Sequence, residues 1–221
     1  MIGRGDVLLL LREKGASLTA RDMKGRTPVA WASIKGHDDI VRYLLLQPEI
    51  NPSQADFSND TPLHFAAGQG RAEIVMMLCG CPSVNVNARN TPFGMTPLAL
   101  AAWGGRFSVV QCLREFGADI HVSDSKGLTP LHYAAQQGFV YLVEFLVREG
   151  ASISKRNNER LTPLDLAASD QIRELLLKTK RRVPTLQTLC LRTIRSNISE
   201  EKRKTLKPHL QEMVKVVEYS M

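Results

Sequence analysis

Residues 129–150 read TPLHYAAQQGFVYLVEFLVREG. Thr129 is a good helix N-cap, and Pro130 suits the first helical position, where no N–H is needed. Ala134 and Ala135 are small enough for close helix packing. Gly138 stands where that helix must stop, because glycine accepts the left-handed conformation that ends helices. Beyond it, apolar residues recur at helical spacing and define a second helix with one apolar face. Gly150 and Ala151 close the unit.

The same text recurs along the chain. Thr-Pro stands at Thr27-Pro28, Thr61-Pro62, Thr96-Pro97, Thr129-Pro130 and Thr162-Pro163, at spacings of 34, 35, 33 and 33 residues. A second phrase follows each at a fixed offset: IVRYLLL, IVMMLCG, VVQCLREFGADI, LVEFLVREGASI and IRELLLK. Gly36, Gly70 and Gly105 repeat the role of Gly138, and Asp22–Gly25 and Asp124–Gly127 carry turn chemistry. One helix pair cannot bury its apolar face alone. Stacked neighbours bury a continuous core, at roughly 1.5–3 kcal/mol per buried Leu, Ile or Val. The expected fold class is all-α, a solenoid of stacked helix pairs.

This pattern resembles the ankyrin repeat, whose T-P-L-H-x-A phrase and period of about 33 residues it matches. The expected organisation is a partial repeat over residues 1–21, about five repeats over 22–180, and a distinct segment over 181–221. GDVLLLLREKGAS near the start aligns with a second helix whose first helix is missing, which predicts a start within a repeat, as an alternative start or a shortened gene product would give. LTPLDLAASDQIRELLLKT at the other end predicts two helices with only Ser169-Asp170 between them.

Composition narrows the function. The chain has 221 residues, 43% of them hydrophobic, and no run long enough to span a membrane or serve as a secretory signal. The four cysteines (Cys79, Cys81, Cys112 and Cys190) show no disulfide-framework spacing and read as reduced thiols of the cytoplasm, with the nucleus also open. The net charge of +7 falls wholly in residues 178–221, which hold 11 basic and 4 acidic residues. No nucleic-acid-binding motif accompanies that charge, so nucleic acid is not expected as a partner. Lys178–Arg182 (KTKRR) reads as a solvated charge run or a weak import signal.

No catalytic constellation, phosphate loop, metal-ligand spacing or cofactor motif is present. His64 and His132 occupy the T-P-L-H slot, where the resemblance implies hydrogen bonding within and between repeats. Asp165 takes that slot in the last repeat. Neither the C-x-C of Cys79 and Cys81 nor any other set has zinc-site spacing.

The expectation is therefore a non-enzymatic protein-binding chain. In ankyrin-like repeats the variable positions of the first helix face a partner on the concave side. Here they include Trp31, Phe65, Leu100, Trp103, Tyr133 and Gln136, together with Ile34, Lys35, Gln69 and Gln137. Hairpin tips add Met23, Lys24, Phe57, Phe93, Met95, Lys126 and Leu128. Aromatic residues dominate binding energy in such sets. Trp31, Phe65, Phe93, Trp103, Tyr133 and Gln136 are the expected target-binding residues, with Phe65, Leu100 and Tyr133 alternatively packed between helices. The enlarged tip VNVNARNTPFGM (Val84–Met95) is a further place for partner contact.

After Pro184, Leu186, Leu189, Cys190, Thr193 and Ile194 fall at i, i+3, i+4, i+7 and i+8, one face of an amphipathic helix. A second apolar set, Leu210, Met213, Val214 and Val217, follows Pro208. PTLQTLCLRTIR (184–195) resembles the opening of a suppressor-of-cytokine-signalling (SOCS) box, through the pattern Leu186-x-x-x-Cys190-x-x-x-Ile194. LKPHLQEMV (206–214) stands where such boxes carry a Pro-rich turn and helix, with Leu206-Lys207-Pro208 in place of Leu-Pro. The whole chain resembles the ankyrin-repeat-and-SOCS-box family. The resemblance implies a target held by the repeats, elongin C bound at Leu186, Leu189, Cys190 and Ile194, and a cullin bound at Leu206, Pro208, Leu210 and Val214. The chain would then be a substrate-recognition subunit of an elongin B/C–cullin–RING ubiquitin ligase. The alternatives are an ankyrin scaffold or inhibitor, or a nuclear cofactor, with no ligase role, and a helix at 186–194 that merely caps the stack.

Overall fold

The computed structural model describes residues 13–182. The residues 7–11 expected to form an uncovered helix, the Leu186–Ile194 stripe with Cys190, and the Leu206–Val214 segment lie outside them. The chain divides into two units, Met1–Leu176 and Leu177–Met221.

Within the first unit, four helix pairs follow the Thr-Pro sites. They are α1 (Pro28–Lys35) with α2 (Asp38–Leu45), α3 (Pro62–Gln69) with α4 (Ala72–Cys79), α5 (Pro97–Trp103) with α6 (Phe107–Glu115), and α7 (Pro130–Gln137) with α8 (Val140–Arg148). A ninth helix, α9 (Asp170–Arg182), follows. No strand occurs among the described residues. The first helices pack in the order α1, α3, α5, α7, and the second helices α2, α4, α6 form a layer behind them. Leu63, Leu98 and Leu131 from the front layer meet Leu44, Leu78, Leu113 and Leu146 from the back layer, all fully buried. Ile172 and Leu176 of α9 join the same core.

Two capping schemes start the first helices. Thr27 and Thr96 use the hydroxyl alone, accepting from the Ala30 and Ala99 N–H at 3.3 and 3.2 Å. Thr61 and Thr129 add a histidine: their N–H donates to Nδ1 of His64 and His132 at 3.1 Å in both cases. Nδ1 must therefore be an acceptor, so Nε2 carries the proton. It donates to the Met95 carbonyl at 3.2 Å from His64, and to Leu161 at 3.3 Å from His132. Each histidine thus caps its own helix and ties it to the following repeat. Burial holds both rings below the ordinary histidine range, His64 to about 4. Gly36, Gly70, Gly105 and Gly138 end these helices at φ values between 65° and 85°.

A side-chain turn precedes every first helix. The Oδ1 of Asp22, Asp56, Asn90, Asp124 or Asn157 accepts the backbone N–H four or five residues on, at 2.8–2.9 Å. One backbone bond links each tip to the next: Phe57 N–H to Lys24, Thr91 to Ser58, Ser125 to Phe93 and Asn158 to Lys126.

The last repeat departs from expectation. Pro163–Leu166 forms one turn rather than a helix. Asp165 replaces the histidine, and its Oδ2 takes both the N–H and the hydroxyl of Thr162, at 2.8 and 2.7 Å. With α9 starting at Asp170, there is no room for a second turn. The Ala168 N–H instead joins the Ala135 carbonyl of α7 at 3.0 Å.

Candidate functional site

The second and third repeats enclose a groove of about 540 Å³ between α3, α5 and the hairpin tips, reaching Tyr133 of α7. Of the residues expected to meet a target, it brings together Phe65, Phe93, Trp103 and Tyr133, with Leu100 beside them. Trp103, the last residue of α5, is 54% exposed, and Phe93 at the enlarged tip is 55% exposed. Gly104 and Gly105 follow Trp103 and offer its ring no side chain. Phe65 and Leu100 are half-buried.

Tyr133 takes the packed one of its two expected places. It is buried, and its hydroxyl donates to Oδ2 of Asp124. Burial and that carboxylate push its hydroxyl above the ordinary tyrosine range. Tyr133 forms the wall of the groove, fixed by the turn of its own repeat. Trp31 is outside the groove lining and only partly open. Its Nε1 donates to Asp22 at 3.0 Å, and the guanidinium of Arg26 lies 4.0 Å from its ring centroid. Gln136 is exposed on α7 but also outside the groove.

Two of the expected tip residues are corrected. Met95 and Leu128 are buried, because the N–H of each is bound to the turn residue Asn90 or Asp124, which turns the side chain inward. Met23, Lys24, Phe57, Phe93 and Lys126 are the expected tip residues that are exposed.

The groove residue that sequence reasoning missed is Asp60. The signal was present. The residue before Thr-Pro is Arg26, Met95, Leu128 and Leu161 in the other repeats, and a carboxylate only here. Asp60 accepts a bond from Asn90 Nδ2 at 2.9 Å. Its pKa is raised, by partial burial first and by the neighbouring Asp56 as well, against the opposing Asn90 bond.

The cysteines carry no comparable site. Cys79, Cys81 and Cys112 are free thiols. Burial pushes the Cys79 thiol up to about 12, with Cys112 and Cys81 adding to the effect, so it stays a protonated packing group. Among the described residues no group of three or more His, Cys, Asp or Glu could hold a metal ion. No helix among them is long and apolar enough to cross a membrane.

Comparison with known proteins agrees with this architecture. A description of three ankyrin repeats matches residues 49–124 and 98–185, and one of a single ankyrin repeat matches 24–57. The chain belongs to the ankyrin-repeat family, whose stacks bind other proteins. The matched residues end at 185 and do not reach Leu186–Val214. The chain is 31% identical over 158 residues to the probable E3 ubiquitin-protein ligase XBOS33 of Oryza sativa subsp. japonica, covering 53% of this chain and 30% of that protein. It is 34% identical over 119 residues to the probable 26S proteasome regulatory subunit p28 of Saccharomyces cerevisiae, covering 52% and 51%. It is also 34% identical over 113 residues to the human ankyrin repeat domain-containing protein 63, covering 50% and 29%. The chain thus spans between about a third and a half of the length of these relatives.

Proposed function

We propose that this chain is the substrate-recognition subunit of an elongin B/C–cullin–RING ubiquitin ligase. The repeats hold a target protein in the groove of Phe65, Phe93 and Trp103. The C-terminal segment binds elongin C through Leu186, Leu189, Cys190 and Ile194, and a cullin through Leu206, Pro208, Leu210 and Val214. The chain itself does no bond chemistry. It raises the effective concentration of a target lysine near a charged ubiquitin-conjugating enzyme.

The observation that carries this proposal is the order of two sequence patterns in one chain: ankyrin repeats, then the spacing Leu186-x-x-x-Cys190-x-x-x-Ile194. Leu186 is long enough to fill an apolar pocket, Cys190 is small enough for close approach, and Ile194 extends the stripe. Of the relatives described above, one is named a probable E3 ubiquitin-protein ligase and one a probable 26S proteasome regulatory subunit, which is consistent with a role in protein turnover.

Elongin B/C affinity, measured by calorimetry on wild-type protein and two variants, tests the proposal. Truncating a central anchor costs roughly 2–4 kcal/mol, so Leu186→Ala should cut the affinity about thirtyfold or more. Adding Cys190→Phe overfills a close contact and should abolish binding. If the helix only caps the stack, the same variants lower the melting temperature and the wild type binds no elongin. Failure of the wild type to bind at micromolar concentration sinks the ligase role and leaves an ankyrin scaffold or inhibitor.

A further inference from the structure

The groove is apolar on its walls and acidic at its hairpin end. The acid arises from a break in the repeat pattern. In the first repeat, Asp22 is answered four residues later by Arg26, whose Nε and Nη2 reach its Oδ2 at 2.9 and 2.8 Å. Trp31 Nε1 adds a third donor to that oxygen. In the fourth repeat the hydroxyl of Tyr133 serves Oδ2 of Asp124. In the second repeat both answers are missing. Position four after Asp56 is a second carboxylate, Asp60. The place of Trp31 and Tyr133 is held by Phe65, which has no donor. Asp56 Oδ1 accepts the Ser58 and Asp60 N–H groups, and Asn90 Nδ2 donates to Asp60. Among the described residues no cation forms an ion pair with either acid.

Asp60 lies in the groove lining with Phe65, Phe93 and Trp103. A half-buried carboxylate beside another carboxylate is electrostatically uncompensated, and aromatic faces attract cations as well as apolar groups. Among the described residues no lysine or arginine lines the groove, and Arg106, beside it, donates from Nε to the Gly68 carbonyl at 3.3 Å. We infer that the groove recognises an extended segment of its target through a lysine or arginine side chain placed at Asp60, with an apolar neighbour of that residue packed between Phe65, Phe93 and Trp103. The inference rests on the reading of this groove as the target-binding surface and names the chemistry of the target segment. The carboxylate supplies specificity, because an acidic or neutral side chain there leaves the charge of Asp60 without a cation. The aromatic walls supply the buried area. An acidic segment is excluded by repulsion from Asp56 and Asp60 together.

A phage-displayed library of random short peptides, panned on the full chain, tests this. The selected peptides should carry lysine or arginine at one position about fivefold above its library frequency, with an apolar or aromatic residue nearby. Asp60→Asn keeps an acceptor for Asn90 and removes the charge. It should bind a selected peptide about tenfold more weakly, the loss expected for one partly desolvated charge-assisted bond. Replacing the peptide's basic residue with norleucine should give the same loss on the wild type and little further loss on Asp60→Asn. The peptide change gives the answer even if the variant folds poorly. Selection of apolar peptides with no basic preference, or equal binding by Asp60→Asn, overturns the inference and leaves the groove a target site. Absence of any selected peptide displaced by Trp103→Ala overturns both. Elongin affinity of the same protein reports the ligase role separately.

Discussion

Lowering the pH should weaken the stack through His64, by an amount that the structure sets. His64 is 1% exposed, its Nδ1 faces the Thr61 N–H, and its Nε2 proton is on the Met95 carbonyl. A second proton would have to sit on Nδ1, where a donor already points. Burial of the ring, which disfavours the charged form, holds the folded pKa down to about 4, against the ordinary 6.5 of an exposed histidine. Between those values the unfolded chain binds a proton that the folded chain refuses. The stability is fully present above pH 6.5 and is lost as the pH falls toward 4. The complete loss is about 3 kcal/mol, of which about 2 kcal/mol is gone by pH 5. His132 acts in the same direction.

His64→Ala isolates the effect. Ala30 and Ala99 occupy the equivalent place in the first and third repeats, so the backbone accepts alanine there. At pH 7.5 the variant should be less stable by about 2–4 kcal/mol, from the lost inter-repeat bond, the lost cap and the cavity. By pH 5 the gap should shrink by about 2 kcal/mol, because the variant has no group there to titrate. Urea unfolding followed by circular dichroism at 222 nm, at half-unit steps from pH 7.5 to 5, measures both curves. Parallel curves would show that His64 titrates alike folded and unfolded, and would refute its role as a buried neutral cap.

Other substitutions probe the rest of the frame. Trp103→Ala should leave the melting temperature nearly unchanged, since the ring is 54% exposed, and should weaken a groove-bound peptide by about 2 kcal/mol; a large stability loss with intact binding would contradict this. Gly105→Ala should destabilise by about 2–3 kcal/mol, because its Cβ would lie 2.6 Å from the Phe139 ring at a φ of 65°. Gly150→Ala, also at positive φ but with open space around it, should cost only about 1 kcal/mol, and equal losses would show that the Phe139 contact is unimportant. Arg160→Gly should raise stability by about 0.5–1 kcal/mol, because Arg160 sits at a φ of 63° where Gly25 and Gly127 stand in sister repeats; a fall in the urea midpoint would count against strain at this turn.

Sequence alone determined the repeat, its period and both helices of the first four units, because these depend on local chemistry. Thr-Pro starts a helix, a left-handed glycine stops it, and apolar spacing marks the inner face of the next. The role of His64 and His132 came from the resemblance to the ankyrin phrase, and the exposure of Trp103 was legible from the two glycines beside it. Tertiary structure alone decided which named residues share a surface. Trp31 and Trp103 both read as exposed aromatics of first helices, yet Trp31 is held by Asp22 and Arg26 while Trp103 opens on the groove. Met95 and Leu128 read as tips but turn inward, because a side-chain bond from Asn90 or Asp124 reverses their backbone. Asp165 shortened a helix that the Thr-Pro phrase predicts. Asp60 is one letter before a familiar phrase, and its importance depends on Phe93 and Trp103 of the next repeat arriving beside it and Phe65. Local rules set each helix because its bonds close within a few residues. The groove is made by side chains about 30 residues or more apart, whose meeting is fixed only when the repeats stack.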